Sequence, residues 1–310
     1  MYGEIWQINF NKKDKRFAGI ERGEIIMNEK RKYKKYKAHG KEIIPCLCSW
    51  FDLLGYGKPF VDSKWNLSDE KCYNNFQRIE QVSHVFTSGW ATHPVGVRLS
   101  INDGYACTID VGEDAKGIAD TYTFLEGALQ DFLAISVIEK REGNPGVRGV
   151  ITIGERFSHA LGNEAVLFPG KTVSYFPSEF QMNTSFSKAT IIEESGSRAG
   201  IMGSNLYLDR EIYYYLLFVA KYLGFQEPSI EIVENNVIVH IFEPRGWFAD
   251  VTLDSQVIKY QKSEKYNNRG IETELYRFIS IHSKIDDMAK EAAWQRMKMV
   301  SMMEEEEWNS

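Results

Sequence analysis

Apolar residues along this chain alternate between short unbroken runs and helical stripes. Residues 43–54 are an apolar run too short for a surface helix and bounded by Gly55 and Gly57, which predicts a strand buried on both faces. Ser68, with Asp69 and Glu70 in the first turn, opens a helix to about Phe86 that Gly89 and Pro94 stop. Residues 97–102 and 105–110 are strand-like and meet at Asp103-Gly104, a strong hairpin signal. Residues 117–142 carry Ile118, Tyr122, Leu125, Leu129, Phe132, Leu133 and Val137 at helical spacing, up to the break at Gly143-Asn144-Pro145-Gly146. A third core strand is predicted over 147–153.

Further on, Ser178 and Glu179 open a helix to about Ser195, closed by Gly196, and 199–203 reads as a short strand. An aromatic helix follows over 209–223, with Tyr213, Tyr214, Tyr215, Leu216, Leu217 and Phe218 apolar nearly all round. Then comes a hairpin of 230–233 with 237–242, turning on Asn235-Asn236. A long C-terminal helix is expected after Gly270, with Ile271, Leu275, Phe278, Ile279 and Ile285 on one stripe and Met288 and Trp294 beyond. This order predicts an α/β protein, an α+β sandwich with a mixed sheet. The expected division is a basic extension over 1–42, the main domain over 43–245 and a mostly helical C-terminal extension over 246–310.

Composition narrows the function classes. At 43% hydrophobic and 13% aromatic residues, there is enough apolar surface to offset the entropy of ordering the chain. No stretch approaches the roughly 20 apolar residues of a bilayer span, and Met1-Tyr2-Gly3-Glu4 begins no signal-like segment; a cytoplasmic protein with no membrane partner is expected. Cys46, Cys48, Cys72 and Cys107 form no Cys-x-x-Cys pair and are expected as free thiols. A net charge of −6 argues against a general nucleic-acid surface. Lys30, Arg31, Lys32, Lys34, Lys35, Lys37 and Lys41, with Tyr33 and Tyr36 interleaved, form a local basic run: a solvated lead-in to the first strand, or a phosphate or nucleic-acid contact. Glu304 to Glu307 read as a solvated tail.

Two carboxylates stand where one sheet could use them together. Asp52 ends a buried strand and is followed by Leu53, Leu54, Gly55 and Tyr56, whose backbone N–H groups can face an anion. Asp103 tops a tight hairpin. If the first strand pairs beside that hairpin, both carboxylates reach one sheet edge and could hold divalent cations on a triphosphate.

Trp50-Phe51-Asp52-Leu53-Leu54-Gly55-Tyr56 resembles the first metal-binding motif of the class III nucleotide cyclases, and Ser100-Ile101-Asn102-Asp103-Gly104-Tyr105 their second. Residues 147–154, ending in Gly154, are similar to the family strand that ends in glycine before a loop. Residues 182–189 resemble the helix that carries the family's catalytic Asn and Arg. These segments follow the family's order, with Asp103 lying 103 − 52 = 51 positions after Asp52.

The resemblance implies a ferredoxin-like palm with a mixed, mainly antiparallel sheet. It implies two Mg²⁺ or Mn²⁺ ions on Asp52 and Asp103, and nucleotide contacts from Leu53, Leu54, Gly55, Tyr56 and Arg98. Asn183 would orient the ribose, with Lys188 or Arg198 stabilising developing charge. It further implies a nucleoside triphosphate substrate and a homodimer, since class III sites form between subunits. Where purine cyclases carry base-reading Lys and Asp residues, this chain has Leu99 or Arg98 and Phe180 or Glu179. That places it nearer to the pyrimidine cyclases of bacterial anti-phage signalling. The family's Arg falls on Ser187, with Lys188 one step off. A second reading follows from these departures: a cyclase-fold nucleotide sensor or scaffold within a larger assembly.

Overall fold

The computed structural model describes residues 33–88, 96–112, 115–158, 166–168, 172–174, 177–212, 214–215, 229–233, 236–240 and 257–282. In chain order the strands and helices are β1 (Tyr36–Ala38), β2 (Lys41–Leu53), α1 (Lys58–Asp62), α2 (Glu70–Ser88), β3 (Val97–Ile101), β4 (Gly104–Asp110), α3 (Ala115–Arg141) and β5 (Val147–Phe157). They continue as β6 (Val166–Phe168), β7 (Thr172–Ser174), α4 (Thr184–Glu194), β8 (Leu206–Asp209), β9 (Ser229–Val233), β10 (Asn236–His240), β11 (Val257–Asn268) and β12 (Ile271–His282). Residues 210–212 and 214–215, inside the expected aromatic helix, are helical.

The apolar run beginning at Ile43 becomes β2, the centre of an eight-stranded sheet. The order is β11-β12-β8-β5-β2-β4-β3, with β1 also paired to β2. Every pairing is antiparallel except β5 with β8. The unit β2-α2-β3-β4-α3-β5, with strands in spatial order β5-β2-β4-β3, is the expected palm.

Alternation along the strands sorts side chains to two faces. Leu47, Phe51, Leu53, Tyr105, Val147 and Ile151 pack with Val82 and Phe86 of α2 and with Leu129, Phe132 and Ile135 of α3, which cover one face. The opposite face carries α4, whose Ala189 and Ile192 bury against Val150, Tyr207, Tyr266 and Leu275. Gly154 permits that docking: a Cβ there would lie 2.6 Å from the Ser185 backbone nitrogen. Thr152 Oγ1 donates to the Ser185 carbonyl (2.7 Å) and Thr184 Oγ1 to the Glu155 carbonyl (2.8 Å), fixing the helix start on β5.

Three expectations are corrected. The helix foreseen after Gly270 is strand β12, paired with β11 and β8 through residue 277 and beyond. A spacing of four residues is even, so Ile271 and Leu275 share a face in a strand as well as in a helix. Arg269 (φ 50°) and Gly270 (φ 79°) form the two-residue turn that joins the strands. The helix foreseen from Ser178 starts at Thr184, because Asn183 is a true N-cap whose side chain accepts from the Phe186 N–H. The strand foreseen over 199–203 is displaced to β8, since Gly196–Ala199 form a 3-10 turn ended by Gly200 at φ 79°.

The hairpin expected near 230–242 is present as β9 and β10. All four cysteines are free and buried. No helix among the described residues is long and apolar enough to cross a membrane. Lys30 to Lys32, Ile285, Met288, Trp294 and Glu304 to Glu307 lie outside the described residues.

One ion pair joins both helices of the covered face to two strand ends. Arg78 of α2 donates through Nε to Glu139 Oε1 of α3 at 2.9 Å, and through Nη2 to the Leu54 carbonyl at 3.0 Å. Glu139 also accepts from the Gly146 N–H at 3.2 Å, just ahead of β5. The side chains are 6% and 0% exposed. Removing one partner strands a buried charge, so Arg78→Met and Glu139→Gln should each lose about 3–5 kcal/mol of unfolding free energy in urea titrations. The double variant Arg78→Met/Glu139→Met should lose much less than the sum of its singles.

Candidate functional site

Asp52 and Asp103 come together at one end of the sheet. Asp52 is the register partner of Gly104 on β4, and the Leu53 N–H donates to the Asp103 carbonyl at 3.1 Å. Asp52 thus ends β2 while Asp103 stands in the turn just before β4, one residue out of register with it. Because Phe51 and Leu53 point into the helix-covered core, Asp52 faces the other way, toward α4, beside Trp50. Gly104 is required for packing: a Cβ there would lie 2.0 Å from the Trp50 ring. The turn itself uses Asn102, at φ 53°.

On its other side Asp52 is in register with Arg148 of β5. The row Gly104, Asp52, Arg148 thus sets a cation next to the carboxylate, with cross-strand Cβ atoms about 5 Å apart. Arg148 does not bond Asp52. Its Nε donates to Glu193 Oε1 of α4 at 2.7 Å, and Nη2 bonds the same oxygen.

The electrostatics follow from this layout. Burial, then the negative charges of Glu193 and Asp103, push the Asp52 carboxyl up to about 7, against the opposing pull of Arg148 and Arg78. Asp103 is also raised, mainly by burial, against its own backbone N–H and Arg78. Tyr56 is raised by burial and by Asp103, which locates its ring near that carboxylate. Among the described residues no cluster of three or more His, Cys, Asp or Glu side chains could hold a metal. A divalent ion here would rest on the two aspartates and on ligand oxygens, and the surplus of negative charge that raises Asp52 suits such an ion.

The residues expected to cradle phosphate are partly spent. The Leu53 N–H serves Asp103, the Leu54 N–H donates to the Gly146 carbonyl at 2.9 Å, and the Tyr56 N–H reaches the Leu53 carbonyl at 3.4 Å. Gly55, at φ 73°, keeps its N–H unbonded among the described residues.

Three expected residues lie elsewhere. Arg98 points to the helix-covered face, where it pairs with Asp131 Oδ2 at 2.9 Å and lies 4.8 Å from the centroid of the Phe86 ring. Parity decides this, because one step along a strand reverses the face. Leu99, its neighbour, joins Trp50, Val97, Phe180 and Phe186 on the Asp52 face. Asn183 is 1% exposed. Its Oδ1 accepts from Phe186 N–H and Cys46 Sγ, and its Nδ2 donates to Thr108 Oγ1 and the Glu179 carbonyl, leaving no free hydrogen for a ribose. Cys46 is six positions from Asp52 on β2, about 20 Å of extended strand.

Lys188 is bound to Asp209, a fully buried carboxylate that also accepts from Thr273 Oγ1 at 2.7 Å. Arg198 is exposed on the 3-10 turn after α4. The residues that sequence reasoning missed are Arg148 and Glu193. Arg148 stood inside a quoted strand motif, and its register with Asp52 was the signal that could have found it.

No family model matches the chain, and no curated protein does. Solved structures similar to it include the adenylyl cyclase CyaB from P. aeruginosa, at 10% identity and TM-score 0.44, covering 77% of this chain and 96% of that one. Another is the adenylate/guanylate cyclase/hydrolase from Silicibacter pomeroyi, at 12% identity and TM-score 0.35, covering 77% and 98%. A third is a bacterial light-regulated adenylyl cyclase, at 7% identity and TM-score 0.37, covering 80% and 96%.

The raised Asp52 carboxyl has a measurable effect on the metal-free protein. Between the unfolded carboxylate value near 4 and about 7, the folded chain holds a proton that the unfolded chain has released. Stability therefore falls as pH rises through that window. Asp52→Asn should flatten the slope and stabilise the protein at pH 8, as read by urea midpoints across pH. A smaller slope should persist from Asp131, which burial raises to about 6.

Proposed function

We propose that the chain is a nucleotidyl cyclase that converts a nucleoside triphosphate, a pyrimidine one, to a 3′,5′-cyclic monophosphate and pyrophosphate. The observation that carries this reading is the meeting of Asp52, at the end of β2, with the turn that holds Asp103, and of Asp52 with Arg148 in the adjoining row. The sequence motifs around both aspartates support it. The ribose 3′-oxygen would attack the α-phosphorus as its proton leaves, and the bond from that phosphorus to the β-bridging oxygen would break, releasing pyrophosphate.

Asp52 and Asp103 would hold Mg²⁺ or Mn²⁺, which when bound activates the hydroxyl and neutralises phosphate charge. Arg148, held by Glu193 through Nε and Nη2, would turn its Nη1 side to a phosphate oxygen. Gly55 offers an amide to the same oxygens. The half-buried Leu99 and Phe186, backed by the buried Phe180, would offer a base an apolar surface without charged readers. A homodimer is part of the reading, since Asn183 of the same chain stands at the Cys46 end of β2, about 20 Å of extended strand from Asp52.

A second reading is a cyclase-fold nucleotide sensor or scaffold. It is favoured by the engagement of Asn183 and Lys188 in structural bonds.

Incubation with each of the four ribonucleoside triphosphates and Mn²⁺ separates the two. The cyclase reading expects cyclic product and pyrophosphate from a pyrimidine triphosphate. Asp52→Asn and Asp103→Asn should each slow turnover by orders of magnitude while the protein stays folded, because each removes a charged ligand of similar shape. No product from any wild-type reaction selects the sensor, and turnover that survives both substitutions refutes the site.

A further inference from the structure

In the row Gly104, Asp52, Arg148, the arginine stands directly across from Asp52, and its side chain is long enough to pair with that carboxylate. Such a pair would fill the carboxylate's lone pairs and exclude a cation. Instead Glu193, 6% exposed, draws Arg148 to itself through two N–H groups on one oxygen.

Glu193 is itself held from behind. It belongs to the last turn of α4, and the next residues are gripped by the tip of the β11–β12 hairpin. The Tyr266 hydroxyl bonds Ser195 Oγ at 2.7 Å, Asn268 Nδ2 donates to the same oxygen at 2.9 Å, and Arg269 pairs with Glu194 at 3.2 Å. Tyr266, 2% exposed, packs in one cluster with Ala189 and Ile192 of α4. The far side of the helix is tied to β8 by Lys188 and Asp209.

We propose that Glu193 is a positioning residue that keeps Arg148 off Asp52, and that the β11–β12 tip, through its hold on α4, keeps Glu193 in place. The inference rests on reading Asp52 as a cation ligand. It predicts that the C-terminal hairpin, which contributes no ligand, governs cation affinity at the sheet's end.

The test is Mn²⁺ alone, titrated into the full chain and followed by loss of the free-ion paramagnetic resonance signal, beside the ¹⁵Nε–H resonance of Arg148. Glu193→Gln should weaken Mn²⁺ at least about tenfold, the scale of one charge-assisted hydrogen bond. Adding Arg148→Met in that background should restore most of the affinity, whereas Arg148→Met alone should change it little. Tyr266→Phe/Asn268→Ala alters no charge; it should weaken Mn²⁺ several-fold and move the Arg148 resonance toward its position in Glu193→Gln.

A merely electrostatic or structural Glu193 would give additive effects and no rescue, which overturns the proposal. So does a hairpin variant with unchanged Mn²⁺ affinity and an unmoved resonance. Glu193→Asp, which keeps the charge and a shorter reach, should fall between wild type and Glu193→Gln; loss without rescue there and in Glu193→Gln is again a refutation. If wild type binds no Mn²⁺, or binds it indifferently to Asp52→Asn, the cation site itself fails and this inference falls with it. Normal Asp52-dependent binding with no effect of Glu193 removes this inference alone.

Discussion

The buried pair of Arg78 and Glu139 is what allows two helices and two strand ends to meet in one place. Both side chains are almost fully buried, so the backbone groups that the β2 exit and the β5 entry leave unpaired find partners in protein. Arg78 takes the Leu54 and Gly146 carbonyls, and Glu139 takes the Gly146 N–H and the Asn144 amide. The exit of β2 and the entry of β5 are therefore fixed relative to each other by charge. Asp52 and Arg148, each within two residues of those points, inherit the constraint.

On the opposite face the charges are arranged to remain unequal. Asp52 stands beside Glu193 and Arg148, and that arginine is already committed to Glu193, while the arginine that acts on Asp103 is Arg78. Helix α4 runs along β2, with its capped start at the Cys46 end and its last turn at the Asp52 end. The part of α4 that bears on the aspartates of its own chain is thus its C-terminal turn, while Asn183 serves as a cap and as a bridge to β4.

Much of this was legible from residue order. The apolar run of β2, the β3–β4 hairpin, the long α3 and the presence of both aspartates at one sheet end all follow from local patterns that the tertiary structure reinforces. What stayed hidden depended on parity or on distant partners. Arg98 and Leu99 differ by one position and face opposite sides of the sheet, which a motif match with one step of slack cannot resolve. The β12 residues satisfy a helical and an extended pattern at once, and only the φ values at Arg269 and Gly270 and pairing with β8 decide between them. Arg148 and Glu193 are 45 positions apart, and no local pattern announces their bond.

The central place of β2 has a consequence for how the chain is made. Its partner strand β4 begins about fifty residues later, and β5 about a hundred. At roughly 5–20 residues per second of synthesis, this largely buried strand leaves the ribosome several seconds before either neighbour exists. During that interval both of its edges are unpaired and able to bond to any extended chain nearby. The short strand β1 folds back on β2 through the His39-Gly40 turn, with Ala38 opposite Lys41, and among the described residues is the partner strand that precedes β2 in the chain. A strand of three residues, marginal in the finished sheet, is thereby placed to guard the outer end of β2 while the rest is still being translated.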